Sequence, residues 1–240
     1  MQKYLLCFFL VFVSHTTSSQ VLLTLLFGEK LNSPNIEFGL EGGYNWSDIS
    51  GLESSNRLGT FNLGFYFDFK LKNQLYLYTG VLVKSNLGID DLSLSDVEAS
   101  GIDYIDDQGS YSQRINYFLV PAFAKYVFDN KIYVEAGPQF GLRYKAFVEY
   151  YYENDEVEIR IRQENKNNIN PIEAGAGLGV GYKFSKTGGL SVGVKFFQGF
   201  VNVYKGNSNT KNNSLFLKMN LPIGAKKSAN KHNEMEPNNN

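Results

Sequence analysis

The chain predicts an all-β fold: an eight-stranded antiparallel up-and-down transmembrane β-barrel, one wall face in lipid and the other around a narrow lumen. Three observations carry that reading. Apolar residues alternate with polar residues or glycine in run after run, as strands with two unlike faces require. The connections between runs are short and long by turns, the pattern of short periplasmic turns and longer outer loops. Beyond the first twenty positions no apolar stretch reaches the roughly 18 residues of a spanning helix, which leaves strands as the membrane-crossing element.

Met1–Ser19 reads as a secretory leader. Lys3 supplies the positive start, Tyr4–Val13 the apolar stretch and Ser14–Ser19 the small polar end, with cleavage expected before Gln20. Cys7 is the sole cysteine and sits early in that stretch, so neither a lipoprotein cleavage site nor a disulfide in the mature chain is expected. Residues 20–34 form a short periplasmic segment that includes the apolar run Val21–Phe27, and residues 35–223 form the barrel.

The first strand covers about Ile36–Trp46, with Phe38, Leu40, Tyr44 and Trp46 outward and Glu37, Glu41 and Asn45 inward. The second, Leu58–Leu71, sets Phe61, Leu63, Phe65, Phe67 and Phe69 against Thr60, Asn62, Tyr66, Asp68 and Lys70. In the third, Leu75–Ser85, Leu77, Val81 and Val83 oppose Tyr76, Tyr78 and Lys84. The fourth, about Arg114–Val127, is apolar on both sides; Phe118, Val120, Ala122 and Tyr126 are placed outward. The fifth, Ile132 to about Tyr150, turns Val134, Ala136, Phe140 and Leu142 out and Glu135, Gln139, Arg143 and Lys145 in.

Ile172–Phe184 is the cleanest run: seven apolar residues on one side, Glu173, Lys183 and four glycines on the other. Those glycines are expected to make room for long side chains from neighbouring strands. The seventh strand, Leu190 to about Val203, and the eighth, Ser214–Ile223, repeat the pattern, turning Lys195 and Lys218 inward. Residues 224–240, rich in Asn and Lys, read as a disordered periplasmic tail. Tyr44, Trp46 and Tyr144 fall near the outer interface and Phe69, Tyr126, Tyr182 and Phe184 near the inner one, as aromatic girdles require.

Two features strain the eight-strand count. Pro121 and Pro138 lie inside strands, where a closed barrel has no edge to tolerate them; a single local bulge is expected to absorb both. Glu156–Arg162 alternates again between the fifth and sixth strands. Its charged face suits a hairpin above the membrane, with ten strands as the alternative.

Chemistry is sparse. Both histidines, His15 and His232, lie outside the barrel, so no histidine base or zinc site is expected in it, and no cofactor is implied. Losing the leader removes one of 23 basic residues and none of the 24 acidic ones, a balance that gives nucleic acid no handle. Glu37, Glu41, Asp68, Glu135 and Glu173 share the lumen with Lys70, Lys84, Lys125, Arg143, Lys183, Lys195 and Lys218. An eight-stranded interior is just wide enough for side chains to fill, so a packed salt-bridge network is expected rather than an ion path. Asp103, Asp106 and Asp107, before Gly109, are calcium candidates by their oxygen donors, but without EF-hand spacing the acidic loop is expected to be solvated and mobile.

Four segments resemble the PorT-like outer-membrane barrels of the Bacteroidota: Glu41–Ser47, Asn116–Pro121, Tyr133–Gly141 and Gly177–Phe184. Both prolines lie within family-like motifs. The resemblance implies a barrel exported to the bacterial outer membrane and an accessory role in protein secretion, and it carries over no catalytic residue. The ending Leu221-Pro222-Ile223 departs from the usual C-terminal aromatic. The expectation is a monomeric, non-enzymatic barrel held in outer-membrane lipid, with secretion-system or envelope proteins as partners. A small channel or transporter is the alternative, and a soluble calycin-like barrel, which would need an apolar interior, the third.

Overall fold

The computed structural model describes residues 31–185 and 189–223. The expected leader, most of the 20–34 segment and the 224–240 tail lie outside them. The strands are β1 (Ile36–Ser50), β2 (Leu58–Lys72), β3 (Leu75–Ile89), β4 (Ser110–Val127), β5 (Ile132–Glu153), β6 (Glu158–Glu164), β7 (Ile172–Lys183), β8 (Ser191–Asn202) and β9 (Lys211–Pro222). A helix, α1 (Leu94–Ser100), lies in the β3–β4 loop, and a short 3-10 helix, Lys166–Asn168, precedes β7.

Every strand runs antiparallel to its neighbours. β1 to β5, β7, β8 and β9 follow one another round the wall, and β9 pairs back onto β1 from Gly39↔Pro222 to Ser50↔Lys211. The ring is therefore closed by eight strands. β6 stands outside it, pairing with the top of β5 from Phe147↔Glu164 to Glu153↔Glu158. The alternating segment Glu156–Arg162 is thus a hairpin above the wall, and the ten-strand alternative falls.

The outward residues form a continuous apolar belt. Leu142, Ile172, Leu178, Val194, Phe196 and Leu217 are all exposed, an arrangement that in water would forfeit about 1.5–3 kcal/mol per side chain. Tyr44 and Trp46 pack edge to face at 5.1 Å near the outer rim; Tyr126–Phe128 (4.9 Å) and Tyr182–Phe184 (5.3 Å) do so near the inner one. No helix among the described residues is long and apolar enough to cross a membrane.

Two bulges redirect the alternation. On β3 the register slips by one between Leu82 and Ser85, so Val83 and Lys84 both face outward and Ser85, Leu87 and Ile89 turn inward. Lys84 therefore leaves the lumen, correcting its expected position, and lies 5.9 Å from the Phe61 ring centroid. On β5 the slip falls at Tyr144, between the pairs Tyr117↔Arg143 and Asn116↔Lys145. The prolines do not share a bulge: Pro121↔Gln139 and Ala124↔Ala136 keep one register, and the β4–β5 ladder simply lapses between them. The missing donors of Pro121 and Pro138 cost ladder bonds without moving the strands.

Candidate functional site

The lumen holds two unlike layers. In the inner, periplasmic half four acids (Glu37, Glu41, Asp68, Glu135) meet four lysines (Lys125, Lys183, Lys195, Lys218). Lys125 Nζ lies 2.7 Å from Asp68 Oδ2, Lys218 Nζ 2.5 Å from Glu135 Oε1, and Lys183 Nζ 2.9 Å from Glu37 Oε2. Lys195 donates to Gln139 Oε1 at 2.9 Å, and the Tyr78 hydroxyl donates to Glu41.

Aromatic rings fill the spaces between these charges. Lys218 sits 3.8 Å from the Tyr78 centroid, Lys125 4.6 Å from Tyr133, and Lys195 4.2 Å from Phe216. Cation–π contact of this kind partly replaces the water that each ammonium gives up. Sequence reasoning placed the charges but not this aromatic lattice; the signal was present in the inward tyrosines at 66 and 78. The β7 glycines admit the lattice. A Cβ on Gly177 would stand 2.5 Å from Phe123 Cζ, and one on Gly181 would run into the Tyr133 ring.

Glu173 and Arg143 are not part of the inner layer. Glu173 accepts from Asn212 Nδ2 and from the Ala174 N–H at 3.1 Å, while Arg143 Nε donates to the Asn170 carbonyl at 3.3 Å. Lys70 is exposed at the inner rim.

The outer half of the lumen adds an apolar cluster to buried polar residues such as Asn45, Ser85 and Asn212, where a charged interior was expected. Leu82, Leu87, Ile89, Ile115, Leu119, Val148 and Phe197 are buried together. The β3 and β5 bulges turn Leu87, Ile89 and Val148 inward, to join Ile115 and Leu119 of β4 and Phe197 of β8, which face in by the parity of their own strands.

α1 covers this core. Leu92 and Val97 are buried in it, and the helix start is fixed by a capping box in which the Ser93 hydroxyl and the Asp96 carboxylate each accept the other's backbone N–H. Asp96 also accepts from the N–H groups of Glu53 (3.1 Å) and Ser54 (2.9 Å), tying the lid to the β1–β2 loop. The β3–β4 loop thus carries a helical lid in its first half, while Asp103 and Asp107 in its second half are exposed to solvent. Ser-x-x-Asp before an apolar residue was the signal that would have found the lid.

The family described as outer membrane protein beta-barrel domain matches residues 29–205, from before β1 through β8. The chain belongs to that family. It is similar in fold to Neisserial surface protein A (10% identity, TM-score 0.40, 77% of this chain and 96% of that one). It is also similar to Ail, the attachment invasion locus protein of Yersinia pestis (10%, 0.39, 78% and 97%), and to OprG of Pseudomonas aeruginosa (12%, 0.28, 78% and 91%). No curated protein matches the chain by sequence.

Above the membrane this family member carries a structured crown. Gln113, fully buried, receives the Tyr204 hydroxyl (2.9 Å) and the Asn165 amide (2.6 Å) on its oxygen and donates to the Phe147 carbonyl at 3.1 Å. The calcium candidates do not converge. The Asp106 carboxylate takes the Tyr150 hydroxyl at 2.5 Å, the Asp103 backbone exchanges two bonds with the Gln163 amide, and Asp107 joins neither. Among the described residues no group of three or more acidic, histidine or cysteine side chains could hold a metal. Asp106 is held below the usual carboxylate range, first by the Tyr150 hydroxyl, and the same bond pushes Tyr150 up to about 12.

Proposed function

We propose that this protein is a closed, non-enzymatic outer-membrane barrel that works through its outer crown rather than as a conduit. The observation that carries the reading is the double closure of the lumen, by a charge-balanced aromatic layer below and by α1 over an apolar core above. Opening a path would separate buried ion pairs, at about 3–5 kcal/mol for each partner removed. The PorT-like motifs lie in the wall strands and support a role as a secretion or envelope-assembly accessory. Export through a cleaved leader belongs to the same proposal.

Planar-bilayer recording tests it. The purified full chain should show no steady open state, and a sustained ohmic conductance would replace the closed-barrel reading with the channel one.

A further inference from the structure

The one sheet edge that the barrel leaves open is β6. It has a single neighbour, β5, so its other side has no strand partner among the described residues. The β5–β6 hairpin closes with the Asn154 N–H donating to the Val157 carbonyl at 3.0 Å, which directs the odd-numbered residues of β6 toward β5. The N–H and C=O groups of Glu158, Arg160 and Arg162 therefore point to the free side. Val157, Ile159 and Ile161 are exposed.

An open edge of this kind templates strand addition unless something prevents it. Charged side chains often do so; here their order selects a partner instead. Glu156-Val157-Glu158-Ile159-Arg160-Ile161-Arg162 is antisymmetric about Ile159. Laid antiparallel on itself, β6 sets Glu158 against Arg160 twice over, Val157 against Ile161 and Ile159 against its own copy, while Glu156, in the hairpin turn, flanks the end that carries Arg162. A shift of two residues either way puts Arg160 on Arg160 or Glu158 on Glu158, and like charges directly opposite are unfavourable. A parallel in-register pair matches every charge with its like. In the favoured register Glu158 and Arg160 exchange both backbone hydrogen bonds, twice over by symmetry. The Arg160–Glu158 pair given up is cheap, since at 3.2 Å it is half-exposed on both sides, while Arg162 keeps its 2.6 Å pair with the buried Glu149.

We propose that two copies of this protein join through antiparallel pairing of their β6 edges, and that the two copies sit in facing membranes. The second half follows from the sheet. β4 stays paired with β5 up to Ser110↔Tyr151, so β5–β6 continues the barrel wall upward and its plane runs along the barrel axis. The two-fold axis of an antiparallel pair stands perpendicular to its sheet, and here it reverses the barrel axis. The contact is isologous and closes at two copies. The proposal rests on the closed-barrel reading only in placing the crown on the outer face.

Two measurements on the full chain test it, each independent of conductance. In a Cys7-free background, Ile159→Cys should give a disulfide-linked dimer under mild oxidation. Ile161→Cys should not do so alone but should when mixed with Val157→Cys. No dimer from Ile159→Cys, or equal yields from both single variants, overturns the register. Vesicles carrying the protein should bridge one another, and Arg160→Glu should cut bridging about tenfold or more. The inverted variant, Glu158→Arg with Arg160→Glu, should bridge to itself and not to the unaltered protein. Failure of the inverted protein to self-bridge while its barrel keeps heat-modifiable gel mobility overturns the proposal. So does a dimer formed only within single vesicles. A channel result in the bilayer experiment would leave both readouts unchanged.

Discussion

Lys125 Nζ and Asp68 Oδ2 meet at 2.7 Å with both side chains almost wholly excluded from solvent. Lys125 reaches inward from β4 and Asp68 from β2, across the intervening β3, so the pair ties three strands of the wall through its interior. Replacing Lys125 by Met should strand a buried carboxylate and destabilise the barrel by about 3–5 kcal/mol. Adding Asp68→Asn should recover most of that loss, because the double variant has no uncompensated charge. Urea unfolding in lipid vesicles, followed through the single tryptophan, Trp46, measures both.

Gly177 makes a second prediction. Phe123 occupies the space a side chain would need there, so Gly177→Val should cost about 1–3 kcal/mol through overpacking. Phe123→Ala in the same chain should relieve part of that cost, and the coupling energy in a double-mutant cycle checks it. Additive effects would mean that Phe123 is not what the glycine accommodates.

The lid hangs on Asp96. Asp96→Ala removes the carboxylate half of the capping box and the acceptor for two β1–β2 loop amides, and should destabilise the lid by about 1 kcal/mol for each hydrogen bond lost. The barrel wall should hold. Limited proteolysis from the outer side should then cut between Asp90 and Gly109 much faster than in the unaltered protein, with no loss of heat-modifiable gel mobility.

The Asp106–Tyr150 bond should give the crown a two-sided pH dependence. Asp106 is depressed below its ordinary 3.8, so its share of stability is present above that value and fades as pH falls through the lower folded value. Tyr150 is raised from 10.0 to about 12, so its share is complete below pH 10 and is lost as pH rises toward 12. Tyr150→Phe should weaken both arms, leaving at alkaline pH the part that Tyr104, Tyr151 and Tyr204 carry, read as protease sensitivity of the crown against pH.

The wall was legible in the sequence because lipid contact imposes alternation residue by residue. Leu178, Val180 and Tyr182 face out and Gly177, Gly179 and Gly181 face in, a pattern that needs no knowledge of partners. The inner charges were legible for the same reason: Asp68, Lys125, Glu135 and Lys195 keep one parity along stretches that no bulge interrupts. Lys84 was misplaced because a single residue inserted into β3 reverses every face beyond it, and Val83-Lys84 carries no local mark of that insertion. The lid was not legible from the loop's acidic composition, which reads as solvated charge; only the Ser93-x-x-Asp96 spacing marks a helix start there.

Local alternation thus established the barrel, its strand order and the polarity of each inner position below the bulges. Which lysine meets which acid, where the lumen turns apolar, and that β6 alone keeps a free edge were decided by closure of the ring. Each is a relation between segments far apart in the chain: Lys218 on β9 meets Glu135 on β5 only because β7 and β8 bring those strands round the wall. A period of two fixes the side of the wall on which a residue stands; only the register between strands fixes what it faces.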